Sequence, residues 1–179
     1  METSAGAEVV GVDKKAGKIY YTDSAIGSGN ANLYSVTYKG MFKKGKTAVE
    51  STNVASVEYV DNKHVFVTKY SGEGTHDLYE NEALVARNIQ EGSLKKTAYG
   101  EGFVFAYQVK DADGFYKIVF YDGKNIKDVG SSVDLNYVVL SKNKMYFMSK
   151  GDTMFDVKSY NGKKVSTYAE HVNQFIYAH

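Results

Sequence analysis

Cysteine, proline and tryptophan are all absent from the 179 residues. Without cysteine the chain has no disulfide, no thiolate metal site and no cysteine nucleophile. That absence suits a reducing cytoplasm and equally a Gram-positive surface protein, so it leaves the compartment open. The absence of proline from a turn-rich chain has no physical account. An excess of charge is missing too: 22 Lys and Arg face 21 Asp and Glu, for a net charge of +1. Nothing here forms the basic footprint of a nucleic-acid binder. No run approaches the ~18 apolar residues that argue for a membrane-spanning helix. The opening METSAGAEVV has neither the basic nor the apolar region of a signal peptide. It reads as an initiator Met before an internal segment, and the expectation is a piece of a longer chain.

What the chain has in quantity is tyrosine (16) and phenylalanine (9), within 43% hydrophobic residues. Broad rings favour the pleated, half-buried surface of a strand, so the composition points to an all-β fold. Four short apolar runs recur at intervals of about 40 residues: GKIYYTD (17–23), NKHVFVTKY (62–70), EGFVFAYQVK (101–110) and NKMYFMSKG (143–151). Aligning them places Ile19, His64, Phe103 and Met145 at equivalent positions. Each core is too short for a helix and long enough for a central strand. A second run follows each: NLYSVTYKG, HDLYENEA, FYKIVFYDGK and FDVKSYNGK. Three of these end in Tyr-x-Gly. Asp122-Gly123 and Asn161-Gly162 predict type I′ hairpin turns, with Asn81-Glu82 a weaker version. A third, more polar run follows as an edge strand would, and a fourth precedes the next round. Four strands, a to d, therefore repeat four times, over 7–53, 54–92, 93–132 and 133–172. A lone extra a strand lies at 173–179.

Four-stranded antiparallel units at this period are characteristic of β-propeller blades, which bury both faces of each sheet against neighbouring sheets. The pattern carried by Lys18-Ile19-Tyr20-Tyr21, Asn32-Leu33-Tyr34 and Asp77-Leu78-Tyr79 resembles TolB-like propeller repeats of bacterial surface and periplasmic proteins. The Asp-Gly of that family between strands a and b survives only loosely, as Ala16-Gly17, Asp61-Asn62, Glu101-Gly102 and Lys142-Asn143. The tryptophan–aspartate dipeptide of the other large propeller family is absent. The resemblance implies a bacterial, extracellular or cell-surface setting and a non-catalytic role.

Motifs that carry chemistry are sparse. The four histidines (His64, His76, His171, His179) show no metal-ligand spacing, and zinc needs three or four converging donors. Asp111-Ala112-Asp113-Gly114 looks like the start of a calcium loop, but it lacks the glycine and glutamate that such a loop needs at its sixth and twelfth positions. A tight hairpin explains it better. The Gly-rich stretches 27–30 and 71–74 precede no helix and no Gly-Lys-Ser/Thr, so they are not phosphate loops. No Gly-x-Ser-x-Gly is present. The regularly placed tyrosines (Tyr20, Tyr21, Tyr34, Tyr59, Tyr79, Tyr146) fit packing between sheets better than sugar stacking.

These observations predict an array of four four-stranded blades, part of a larger propeller or a self-associating half. The expected function is a binding or protein-interaction module without catalysis, cofactor or metal. The alternatives are a substrate-gating propeller beside a hydrolase, or a ligand-free assembly unit. The b–c loops would carry the binding residues, with His76, Asp111, Asp113 and Asp152 as candidates. Phe175, Ile176 and Tyr177 would carry self-association, because a lone apolar strand needs a partner. The expected partners are a protein or a second copy of the chain. Carbohydrate is the other ligand class. Nucleic acid and a membrane span are not expected.

Overall fold

The computed structural model describes residues 6–27, 30–39, 43–97, 102–108 and 114–173. Among the described residues the fold is all-β, with 66% strand in antiparallel sheets. It divides into two compact units, Met1–Asn88 and Ile89–His179. In the first unit, β1 (Glu8–Asp13), β2 (Lys18–Thr22), β3 (Ala31–Lys39) and β4 (Lys43–Val54) form one sheet in chain order. β5 (Ser56–Val60), β6 (Val65–Gly72), β7 (Thr75–Glu80) and β8 (Ala83–Gln90) form a second sheet in the same order. The d strand of one repeat thus runs almost directly into the a strand of the next.

The second unit departs from the expected pattern. It contains β9 (Lys95–Lys96), β10 (Phe103–Gln108), β11 (Tyr116–Tyr121), β12 (Ile126–Val133), β13 (Val139–Leu140), β14 (Met145–Lys150), β15 (Phe155–Tyr160) and β16 (Val165–Val172). These make one eight-stranded sheet, so the described residues form three sheets and not four separate blades. The join is the pairing of Val133 in β12 with Ser149 in β14. It forms because the a strand expected over 133–143 is mostly replaced. Asp134 accepts from the backbone N–H of Asn136 at 2.9 Å and starts a 3-10 turn over Leu135–Tyr137. Such local side-chain bonding competes with a ladder. Only Val139 and Leu140 remain to pair with β14, which leaves its far end open to β12. Of the a strand expected over 93–101, the described part, 93–97, pairs as strand at Lys95–Lys96.

Both units bury their cores between stacked layers. In the first, Tyr20, Leu33 and Val54 of the first sheet pack on Val65 and Val67 of the second, with Val57, Val60 and Tyr79 alongside. In the second unit Val104, Ala106, Ile118 and Phe120 meet Met145, Phe147 and Tyr160. Within each unit the back face of the earlier layer thus meets the front face of the later one. Register fixes which residue goes where. Val60 pairs with Val65 as Val12 pairs with Ile19. The equivalent of Ile19 is therefore Val65, and the alignment on His64 is one residue out. In a strand one residue exchanges the faces. His64 lies just before β6, with Nδ1 2.7 Å from Glu80 Oε1.

Turn chemistry also differs from expectation. Asp122 and Asn161 do not enter two-residue type I′ turns. They open longer connections in which a side-chain oxygen caps the next backbone N–H groups: Asp122 Oδ1 accepts from Lys124 (3.0 Å) and Asn125 (2.8 Å), and Asn161 Oδ1 from Lys163 (3.1 Å) and Lys164 (3.0 Å). Only the glycines take positive φ there, 90° at Gly123 and 86° at Gly162. The two-residue turn with both φ angles positive is the one at Asn81 (49°) and Glu82 (66°). A further repeat is visible only in the backbone. Asn53, Asn88, Ser132 and His171 each sit near the end of a d strand with φ between 52° and 55°. Register shifts mark this place in the β3–β4, β11–β12 and β15–β16 pairs. The bulge turns the next residue inward, so Val54, Ile89 and Val133 are buried.

Candidate binding site at the loop end of the first unit

In the first unit the b–c connections and the β4–β5 junction gather at one end. The first connection is closed at its neck by Asp23. Its Oδ1 accepts from the Asn32 backbone N–H at 2.8 Å, and its Oδ2 from Asn32 Nδ2 at 2.8 Å and the Tyr34 hydroxyl at 3.3 Å. The Asn32 backbone bond is the main cause that holds the Asp23 carboxyl below its ordinary range. Burial and the nearby Asp23 charge push the Tyr34 phenol upward.

The second connection, at the Gly-rich stretch 71–74, is tight. Only Glu73 and Gly74 link β6 to β7, with Gly74 at φ 64°. Just before it, Tyr70 is held at both ends. Its hydroxyl donates to the Gly27 carbonyl at 2.8 Å, and its ring meets the His76 ring edge-on with centroids 4.7 Å apart. The residue is nevertheless 49% exposed. Tyr70 thus ties the two connections together and presents a fixed aromatic surface.

His76 itself is not a loop residue. It is the second residue of β7 and only 7% exposed. Its Nδ1 lies 3.2 Å from Thr68 Oγ1, which lies 2.5 Å from the Ser56 hydroxyl, which in turn donates to Glu58. Nε2 is buried with no hydrogen-bond partner among the described residues. In this series the hydroxyls stand between carboxylate and imidazole. A nucleophilic triad has the imidazole in the middle.

Of the other candidates, Asp152 is exposed in the 151–154 connection of the second unit, which the Gly151 N–H closes on the Met154 carbonyl at 2.8 Å. Asp111 and Asp113 lie outside the described residues, as do Phe175, Ile176 and Tyr177. Among the described residues no three His, Asp or Glu side chains form a group that could hold a metal ion. No helix there is long and apolar enough to cross a membrane. Asp23 and Tyr70 belong to no local motif. The one sequence sign was an acid at the very end of a b strand, before a Gly- and Ser-rich stretch. Such a carboxylate can cap the neck of a loop. No family model and no curated protein matches the sequence.

Proposed function

We propose that this chain is a propeller-type, non-catalytic binding or protein-interaction module of a bacterial surface or secreted protein, with its contact surface at the loop end of the first unit. The observation that carries the reading is Tyr70, a half-exposed ring held by a hydroxyl bond and an edge contact. Interfaces draw most of their binding energy from a few rigid aromatic anchors, because little side-chain entropy remains to be lost. The Asp23 neck supports the same reading, since it orders one loop before any ligand arrives. The four-strand repeat and the front-on-back stacking within each unit support the propeller type. The hydroxyl-centred order around His76 fits a structural polar network better than a reaction centre.

The test is an NMR titration of 15N-labelled protein with soluble cell-wall oligosaccharides and with extracellular protein domains. Shift changes should cluster on Gly27, Tyr70 and Thr75. Tyr70→Ala should weaken binding at least about tenfold, or 1.4 kcal/mol. Shifts confined to the opposite turns, at Asp13, Asp61 and Asn81, would refute the placement. Turnover of any probe would refute the non-catalytic reading. The assembly-unit reading has one specific observation in its favour, the exposed Val9, Val12 and Val49 on one face of the first sheet.

A further inference from the structure

The β11–β12 and β15–β16 connections of the second unit share one length and one cap. They run over Asp122-Gly123-Lys124-Asn125 and Asn161-Gly162-Lys163-Lys164. In each, the first backbone N–H closes on the last carbonyl, at 3.1 Å from Asp122 to Asn125 and 3.4 Å from Asn161 to Lys164. In each, Oδ1 of the first residue accepts from the third and fourth N–H groups. The glycine takes positive φ in both. One turn thus holds a carboxylate where the other holds an amide.

Two features prepare the Asn161 amide for reaction. Its Oδ1 draws two N–H groups, at 3.1 and 3.0 Å. The next residue is a glycine, so no side chain screens the following backbone nitrogen. Asn81 is the contrast. Its Oδ1 accepts from the Val65 N–H at 2.9 Å, its Nδ2 donates to the Lys63 carbonyl at 2.8 Å, and Glu82 follows it. Asn32 and Asn136 also have Nδ2 tied down, to Asp23 at 2.8 Å and to Asp134 at 3.0 Å. Asn161 is the single asparagine followed by glycine in the sequence, and it is exposed to water.

We propose that Asn161 is a self-modification site, deamidated by attack of the Gly162 backbone nitrogen on its side-chain carbonyl carbon. The nitrogen loses its proton to hydroxide and bonds to Asn161 Cγ, a step favoured by holding the two groups in one turn. Negative charge collects on Oδ1, where the Lys163 and Lys164 N–H groups already point. The cap that orders the turn therefore stabilises the intermediate, as an oxyanion hole does. The Cγ–Nδ2 bond then breaks, and Nδ2 takes a proton from water and leaves as ammonia. Water opens the resulting succinimide. Breaking the bond between Gly162 N and Cγ leaves aspartate. Breaking the bond between Gly162 N and the Asn161 backbone carbonyl carbon leaves isoaspartate. Nothing is oxidised or reduced. The aspartate product has the cap that Asp122 already shows, and its bonds are charge-assisted. It lacks the ion pair of that turn, because Ser166 stands where Lys127 does. The isoaspartate product lengthens the main chain and mismatches the turn to its strands.

Ageing the whole 179-residue chain in mildly alkaline buffer tests this, with peptide mapping that separates aspartate from isoaspartate. A free peptide covering 158–167 is aged beside it. Asn161 should convert before any other asparagine, and at least as fast in the folded chain as in the peptide. On ion exchange the aged chain should show forms whose formal net charge is one below the starting +1. The aspartate form should match Asn161→Asp and melt no lower than the fresh chain, and the isoaspartate form should melt lower. Conversion slower in the folded chain than in the peptide would show that the cap shields the amide, and would overturn the proposal. So would an asparagine elsewhere that converts first, or an Asn161→Asp protein that melts below the fresh chain.

Discussion

At the scale of single residues, side chains beside the turns do much of the ordering. Asp61 shows the pattern: Oδ1 accepts from Lys63 and His64 N–H groups at 2.7 Å each, Oδ2 accepts from the Tyr59 hydroxyl at 2.9 Å, and the backbone carbonyl accepts from the Tyr20 hydroxyl at 2.6 Å. Burial, with Glu50, Asp13 and Asp61 nearby, pushes the Tyr20 phenol up to about 12. Asp122 is the sharpest electrostatic case. The Lys127 ammonium at 2.7 Å, then the Asn125 and Lys124 N–H groups, lower its carboxyl from 3.8 to about 2. A depressed folded-state value favours the native state above the unfolded value, and that contribution fades as pH falls from 3.8 towards 2. Asp122→Asn should therefore be less stable than wild type near neutral pH. The gap should close between about pH 4 and pH 2, read from urea midpoints across that range. A gap independent of pH would show that the turn geometry, and not the charge, matters at this position.

At the scale of elements, the strand content was legible because its signals are local. Runs of Tyr, Phe, Ile and Val at short length read as strands, and the b, c and d strands lie where those runs lie. Turn types were less legible. An Asp or Asn before glycine can form a two-residue turn or cap a longer one, and the choice depends on strand register. At Asn81-Glu82 the register demands a two-residue turn although no glycine is present. Glu82 sits at φ 66° and pairs with Lys69 at 2.9 Å. A left-handed L-residue costs about 1–2 kcal/mol relative to glycine, while an exposed pair is worth under about 1 kcal/mol. Glu82→Gly should thus be more stable than Glu82→Ala by about 1 kcal/mol, measured as a shift in urea midpoint at constant m-value. The d-strand bulges escaped a sequence reading for a related reason. Asn, Ser and His share no obvious pattern until the backbone shows that each takes positive φ before an inward-turned residue.

At the scale of the whole molecule, close approach between layers depends on glycines that no turn requires. A Cβ on Gly11 would lie 2.3 Å from Val60 Cγ2, and one on Gly130 would lie 2.7 Å from a Phe147 ring carbon. Gly11→Ala should cost about 1–3 kcal/mol by overpacking. Combined with Val60→Ala it should cost less than the sum of the single changes, a coupling visible in a double-mutant cycle of unfolding free energies. The sequence alone determined the all-β class and most strand positions, because hydrophobic spacing and turn residues act over a few neighbours. Tertiary structure decided the rest. It joined the last two repeats through Val133 and Ser149, placed His76 in a buried strand, and left Val9, Val12 and Val49 uncovered. Those outcomes depend on one-residue register and on which layer stacks against which. Both are set by contacts between segments far apart in the chain, where local pattern carries no information.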